Sequence, residues 1–464
     1  MTATITFYGG AGTVTGANFL LDTHSTGSGQ AGSPQTGKRI LIDCGALQRE
    51  RLHDDENSRA FAYDPTSIDV LLVTHAHADH IGRIPKLVRD GFRGTIYSTA
   101  ATRDLAALMF DDALRVMHDE VMKRGGTMMY EKGDADRALK QWQTHDYHAA
   151  FHLGDVRVEF LDAGHILGSA MIRLVRNDRV VLFSGDLGNS PEPLLNDTES
   201  PEGAHYIVME SVYGDRVHEG RDERKDALRA AVEDARSRGG VLLIPSFSIE
   251  RTQILLYELD SMIESGALSP IPVYLDAPLA IRVTDVFRTY ASLLNPDVQE
   301  RFDNGGDPFS FPGLKLTAAV GQSREIHDAP NPKVIIAGAG MSSGGRIREH
   351  EKHYLGDKNV AVLFVGYQAP GSLGRRIADG EKMVEIDGER IRVRARVDTL
   401  SGYSGHKDRD GLLEFVDLAR ESVQHVFVAM GEPKSEMFLA QRIRDFLNIS
   451  ASVPKQNETV PIDF

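Results

Sequence analysis

The sequence predicts an α/β protein built on two sheets of different kinds, and three observations lead there. A short apolar run, 70–73, stops at His75-Ala-His77-Ala-Asp79-His80, so a buried strand delivers three imidazoles and a carboxylate to one place. Up to Glu210, short strands alternate with glycine-rich and polar turns, the habit of hairpins. Beyond Glu210, helical stretches alternate with short apolar strands, which implies parallel βαβ units.

Taken in order, residues 5–8 and 18–22 read as strands about the turn Gly9-Gly-Ala-Gly12-Thr-Val-Thr-Gly16. Such a turn can open a dinucleotide site, but no helix follows this one, and a hairpin is the better reading. Residues 23–37, rich in Gly, Ser and Thr, read as a surface loop. The strand 39–42 ends in Asp43, which an Asx turn would explain equally well. After the histidine motif a helix can begin, with Pro85 in its first turn. A strand at 94–98 and helices over 102–123 and 134–143 follow. His145, His148 and His152 lack ligand spacing and read as surface or packing residues. Strands at 156–161 and 179–183 each deliver one more potential ligand, His165 and Asp186.

In the second half, helices are expected over 224–237, 250–265 and 279–294, and strands over 241–244, 273–275, 334–337 and 360–365. Residues 389–396 return to strand alternation, with Arg390, Arg392, Arg394 and Arg396 on an exposed face. A helix over 411–420, a strand over 425–430 and a helix over 435–447 come last.

A chain of 464 residues has room for two domains or more. Its 41% hydrophobic and 26% charged residues are those of a soluble globular protein. No apolar run reaches membrane-span length, and the first ten residues lack the basic and apolar segments of a signal peptide. A cytoplasmic protein without a membrane partner is therefore expected. The lone Cys44 fits a reducing compartment and reads as a small buried residue. A net charge of −15 argues against a broad basic face for duplex nucleic acid, but not against a locally basic groove.

Side chains of a strand repeat every two residues, so His75 and His77 can project the same way onto one metal. Asp79 and His80 follow after the chain turns and can face a second. Neutral imidazole with carboxylate suits zinc, with manganese or iron as alternatives.

Beyond the histidine motif, Glu210-Ser-Val-Tyr213-Gly214, Pro245-Ser246-Phe247-Ser-Ile-Glu-Arg251, Gly340-Met341-Ser-Ser-Gly344-Gly345-Arg346, Gly366-Tyr367 and Ser404-Gly405-His406 resemble one family. It is the β-CASP branch of the metallo-β-lactamase fold, whose members process nucleic acids. The resemblance implies a metallo-β-lactamase αββα sandwich over 1–210 and 396–464, with an inserted parallel-sheet α/β (β-CASP) domain over 211–395. It also implies that His75, His77 and His165 hold one metal, that Asp79 and His80 hold another, and that Asp186 bridges both. Asp43 would orient the site from behind its ligands, and Glu210 would steady His406 as proton donor. Where the family has His-Gly-Glu, this chain has Met430-Gly431-Glu432. A soft, neutral thioether is a poor zinc ligand beside carboxylates, so the second site is expected to be weaker. His425, five residues upstream on the strand, points to the opposite face.

The function so implied is that of a ribonuclease dependent on two divalent metals, zinc or manganese. It would hydrolyse phosphodiester bonds of single-stranded RNA in a cleft between two domains, internally or from one end. Ser246, Arg251, Ser342, Ser343 and Arg346 are the candidate substrate contacts. Alternatives are a DNA nuclease or other metallo-hydrolase of the same fold, and a catalytically weak RNA-binding scaffold subunit. A homodimer is left open.

Overall fold

The structure, a computed structural model, describes residues 2–24, 37–47, 55–218, 223–369 and 371–464. The loop expected over 23–37 therefore lies largely outside the described residues. The chain divides into two compact units, Met1–Val217 with Gly405–Phe464, and His218–Ser404.

The first unit is a sandwich of two seven-stranded sheets. One runs in the order Thr459–Asp463, Thr2–Gly9, Asn18–Asp22, Arg39–Ile42, Val70–Leu72, Thr95–Ser98, Trp142–Thr144. The other runs Ala451–Ser452, His425–Val428, Tyr206–Met209, Arg179–Phe183, Ala170–Arg176, Val156–Asp162, Phe151–Leu153. Period-two alternation supplies the layer between them. Ile5, Phe7, Phe19 and Ile42 from one sheet share a buried cluster with Val158, Phe160, Ile172 and Phe183 from the other. Each such side chain contributes ~1.5–3 kcal/mol when fully buried. Leu412, Phe415, Val416, Leu439 and Ala440, on the helices Arg409–Asp417 and Pro433–Arg442, cover the second sheet from outside. Ala100–Arg124 packs beside Trp142–Thr144 of the first sheet, which completes the αββα layering.

Strand direction positions the site. Arg39–Ile42, Val70–Leu72 and Thr95–Ser98 pair in parallel in one sheet, and Arg179–Phe183, Tyr206–Met209 and His425–Val428 in the other. Their carboxyl ends lead into Asp43, His75, Asp186, Glu210 and Met430.

Several local expectations change. The helix expected over 134–143 is Lys132–Lys140, and Trp142–Thr144 is a strand. Trp142 extends the four-residue apolar spacing from Ala138, so the local pattern ran on; the ladder onto Thr95–Ser98 decides otherwise. The strand expected over 425–430 ends at Val428, because Met430 adopts φ 47°. The chain also finishes in a strand, Thr459–Asp463, antiparallel to Thr2–Gly9.

The second unit carries an all-parallel six-stranded sheet in the order Leu314–Leu316, Val273–Asp276, Lys333–Ala337, Val241–Pro245, Ala361–Phe364, Arg396–Thr399. The inner strands Val241–Pro245, Lys333–Ala337 and Ala361–Phe364 are buried at every position, as helices on both faces require. Arg390–Arg396 do not share one strand. Arg390 and Arg392 lie exposed on the hairpin strand Glu389–Arg392. Arg396, which the sequence division places in the returning segment, opens a strand of the parallel sheet and binds Asp234 and Asp398. Among the described residues no helix is long and apolar enough to cross a membrane.

Candidate metal centre

After Leu72, Val73 N still donates to Tyr97 O, and two residues on the chain presents His75. His77 precedes the short helix Ala78–Ile81 at φ −69°, ψ 149°, so the two imidazoles meet, with His75 Nε2 3.1 Å from His77 Nδ1. His165, beyond the end of Val156–Asp162, puts Nε2 3.2 Å from His77 Nδ1. Asp186 closes the set, with Oδ2 3.4 Å from His75 Nε2 and 3.5 Å from His165 Nε2. A tetrahedron of ~2.0–2.1 Å metal–ligand bonds has edges of ~3.3–3.4 Å. The four donors therefore fit a divalent ion by both spacing and chemistry. Burial pushes the His75, His77 and His165 imidazoles below their usual range, His77 and His165 well below, which favours the neutral form that binds metal.

The surrounding groups fix ring orientation. His165 Nδ1 lies 2.9 Å from the carbonyl oxygen of Gly405, to which it donates, turning Nε2 inward. Asp43 is no Asx turn. It is buried at φ 57°, and its carboxylate accepts from Thr74 N at 2.8 Å, Thr74 Oγ1 at 2.7 Å and His80 Nδ1 at 2.7 Å. Thr74 can approach so closely because residue 185 is glycine; a Cβ there would lie 2.7 Å from Thr74 Cβ. Thr74 was missed by sequence reasoning, since a buried threonine before a histidine carries no signal of its own. Thr74→Val is expected to lower metal affinity about 10–100-fold with the fold retained, as competition against a chromogenic chelator would measure.

His80 Nε2 faces Asp186 Oδ1 at 3.3 Å, and neither buried atom has a hydrogen-bond partner. Burial alone would lower the His80 pKa, but the Asp186 and Asp43 carboxylates hold it well above its usual value. The place calls for positive charge. Asp79, in the first turn of the same short helix, is pushed up to about 6 mainly by burial. Neither Asp79 nor His80, the two expected ligands of a second metal, falls in the groups of donors that converge within 4.8 Å, which are His75, His77, His165 and Asp186, and Asp186, Glu210 and His406.

The returning segment brings His406 to the site. Asn189 N donates to Gly405 O and Lys407 N to Leu187 O, seating His406 opposite Gly188. His406 Nδ1 is 3.1 and 3.2 Å from the two Glu210 oxygens and 4.0 Å from Asp186 Oδ2. Glu210, buried beyond Tyr206–Met209, also accepts from Leu187 N at 2.7 Å. Burial raises its pKa against the opposing pull of His406.

Met430 joins the apolar layer, its Sδ against Gly10. With Asp43, Thr74, His80 and Glu210 it lines a cavity about one water molecule wide. His425 is held elsewhere, its ring nitrogens 2.8 and 2.7 Å from Ser450 and Ser452 hydroxyls. His145 stacks on Phe151 at 4.0 Å, and His148 lies 3.3 Å from Glu199.

The candidate substrate contacts sit in the second unit, at the carboxyl edge of its parallel sheet. Ser246 is buried and accepts from Thr252 Oγ1. Ser342 is buried and donates to Glu351. Arg346 is bound to Asp276 at 2.6 Å and to the Thr317 and Ala318 carbonyls, so its guanidinium holds the loop together. Arg251 is half-buried at the start of its helix, and Ser343 is exposed.

Comparison with known proteins adds three matches to family models. Residues 35–246 match the metallo-beta-lactamase superfamily, 252–377 the Beta-Casp domain, and 390–454 the Zn-dependent metallo-hydrolase RNA specificity domain. The chain is 36% identical over 426 residues to ribonuclease TTHA0252 of Thermus thermophilus, spanning 92% of this chain and 95% of that one. It is 32% identical over 477 residues to the transcription termination factor FttA of Methanosarcina mazei, spanning 98% and 71%. Among solved structures, a protein of unknown function from Enterococcus faecalis V583 aligns over 100% of both chains, with a TM-score of 0.59 at 12% identity. That likeness is one of fold alone.

Proposed function

Because this chain belongs to the β-CASP family of metallo-β-lactamase-fold nucleases, we propose that it is a ribonuclease hydrolysing phosphodiester bonds in single-stranded RNA. The observation that carries the reading is the convergence of His75, His77, His165 and Asp186 beside the His406–Glu210 pair. The fold implies divalent metals, and the donor set suits zinc, with manganese as the alternative. One ion would be held by His75, His77, His165 and Asp186, and the other by Asp79, His80 and Asp186. When bound, such ions polarise a phosphoryl oxygen and lower the pKa of water.

The chain's own residues do the rest. Asp43 and Thr74 hold His80 with Nε2 turned to Asp186. Glu210 fixes the His406 ring through Nδ1. As water adds to phosphorus and the bond to the 3′-oxygen breaks, that oxygen takes a proton from His406 Nε2. The products are a 5′-phosphate and a 3′-hydroxyl. The test is metal-loaded protein with end-labelled single-stranded RNA and matched DNA. Cleavage of RNA is expected; cleavage of DNA alone, or of neither, overturns the reading.

Met430 makes the two metals unequal in this reading. One equivalent is expected to survive dialysis and a second to return only on addition of metal. Met430→His should reduce the added metal needed for half-maximal cleavage. Wild-type protein that keeps two equivalents through dialysis counts against it.

A further inference from the structure

The second unit contains a feature that metal chemistry does not use. Two of its described aromatic rings, Phe247 and Tyr367, are exposed, both at 37%. Both follow inner strands of the parallel sheet, Val241–Pro245 and Ala361–Phe364, which are hydrogen-bonded neighbours. The carboxyl edge of such a sheet is where α/β folds bind ligands.

A single exposed aromatic ring is ordinary. This one is built in. The Phe247 ring lies on the backbone of two neighbouring loops at positions without side chains. A Cβ at Gly340 would come within 2.6 Å of the ring, and one at Gly366 within 3.6 Å. Gln368 Nε2 ties the two loops together by donating to Gly340 O at 3.0 Å and Gly366 O at 3.3 Å. Thr252 Oγ1 anchors the Phe247 carbonyl at 2.7 Å. The ring is thus seated against Gly340, where any side chain would displace it, and within ordinary contact distance of position 366. Tyr367 follows Gly366 directly, and its ring too is exposed.

We infer that Phe247 and Tyr367 form a stacking platform for unpaired bases of a single-stranded RNA, at the carboxyl edge of the parallel sheet. The inference rests on the ribonuclease reading above and adds a base-contacting subsite to it. The chemistry favours a nucleic-acid strand over an apolar protein segment. Every base offers a π-face, so two exposed rings on neighbouring loops suit successive unpaired bases of one strand. Duplexes are disfavoured, since their bases are already stacked.

The experiment uses the full, metal-loaded chain and a fluorescein-labelled phosphorothioate oligouridylate, which resists hydrolysis, with binding read by anisotropy. Phe247→Ala and Tyr367→Ala are each expected to weaken binding about 5- to 150-fold, the range of one lost base–aromatic stack. Phe247→Leu keeps the apolar contact with the two glycines and guards against misfolding, yet should bind as weakly as the alanine variant. Tyr367→Phe should bind as wild type. An oligomer with abasic ribose at every position should bind wild type and the double variant equally. Two outcomes overturn the platform: a double variant that binds RNA like wild type, or a Phe247→Leu protein of wild-type affinity, which would make the surface merely apolar. Wild-type protein that neither binds nor cleaves RNA overturns the ribonuclease reading itself, a result distinct from either.

Discussion

Asp186→Asn is expected to abolish RNA cleavage, with a loss of at least about 10²–10³-fold, and to lower the metal bound per chain. Asp186 is the carboxylate common to both convergent donor groups. One oxygen faces His75 and His165 at 3.4 and 3.5 Å, and the other faces His80 at 3.3 Å. Asparagine keeps the shape, removes the charge, and places an amide donor where a ligand oxygen belongs. The carboxylate is held in its charged form: burial opposes ionisation, but His80 and His75 depress its pKa well below the usual range. Removing it also takes away the group that faces His80 Nε2. Metal per chain, read by atomic emission, should fall together with activity, and circular dichroism should stay unchanged. Near wild-type cleavage in this variant would remove the metal mechanism. Chelation should likewise stop wild-type cleavage, and added zinc or manganese should restore it.

His406→Ala should slow cleavage by about 10²–10⁴-fold, the usual range for a lost general acid, with metal content unchanged. The distinction matters because His406, Glu210 and Asp186 also lie close enough together to ligate an ion. The two roles separate experimentally. A substrate with sulfur in place of the 3′-oxygen has a leaving group that departs without a proton, so the variant should recover most of its rate on it. A metal ligand would show no such rescue, and its removal would lower the bound metal. Either result against expectation assigns His406 to the metal. Glu210→Gln tests the same arrangement from the other side. It keeps one acceptor for His406 Nδ1 but loses the negative charge, so a smaller loss is expected than with His406→Ala.

The donor residues were legible in the sequence because each lies a few residues beyond an apolar run, and strand ends can be read locally. The hairpin start and the βαβ second half were legible for the same reason, since period two and period 3.6 are written in neighbouring residues. The β-CASP motifs then tied these segments to one fold. Local pattern could not separate an Asx turn from a buried orienting carboxylate at Asp43. That depended on Thr74 and His80, 31 and 37 residues away, meeting the same two oxygens.

What the sequence by itself determined is which side chains are offered and at which strand ends. The tertiary structure decided how they meet. The His165–Gly405 bond spans 240 positions and the His406–Glu210 pair 196. It also decided that Arg346 and Ser342 are engaged within their own unit, and that Trp142 closes a sheet instead of a helix. The physical reason is common to all of these. Periodicity records which face of an element is apolar, whereas a ligand distance or a buried hydrogen bond depends on packing between segments far apart in the chain.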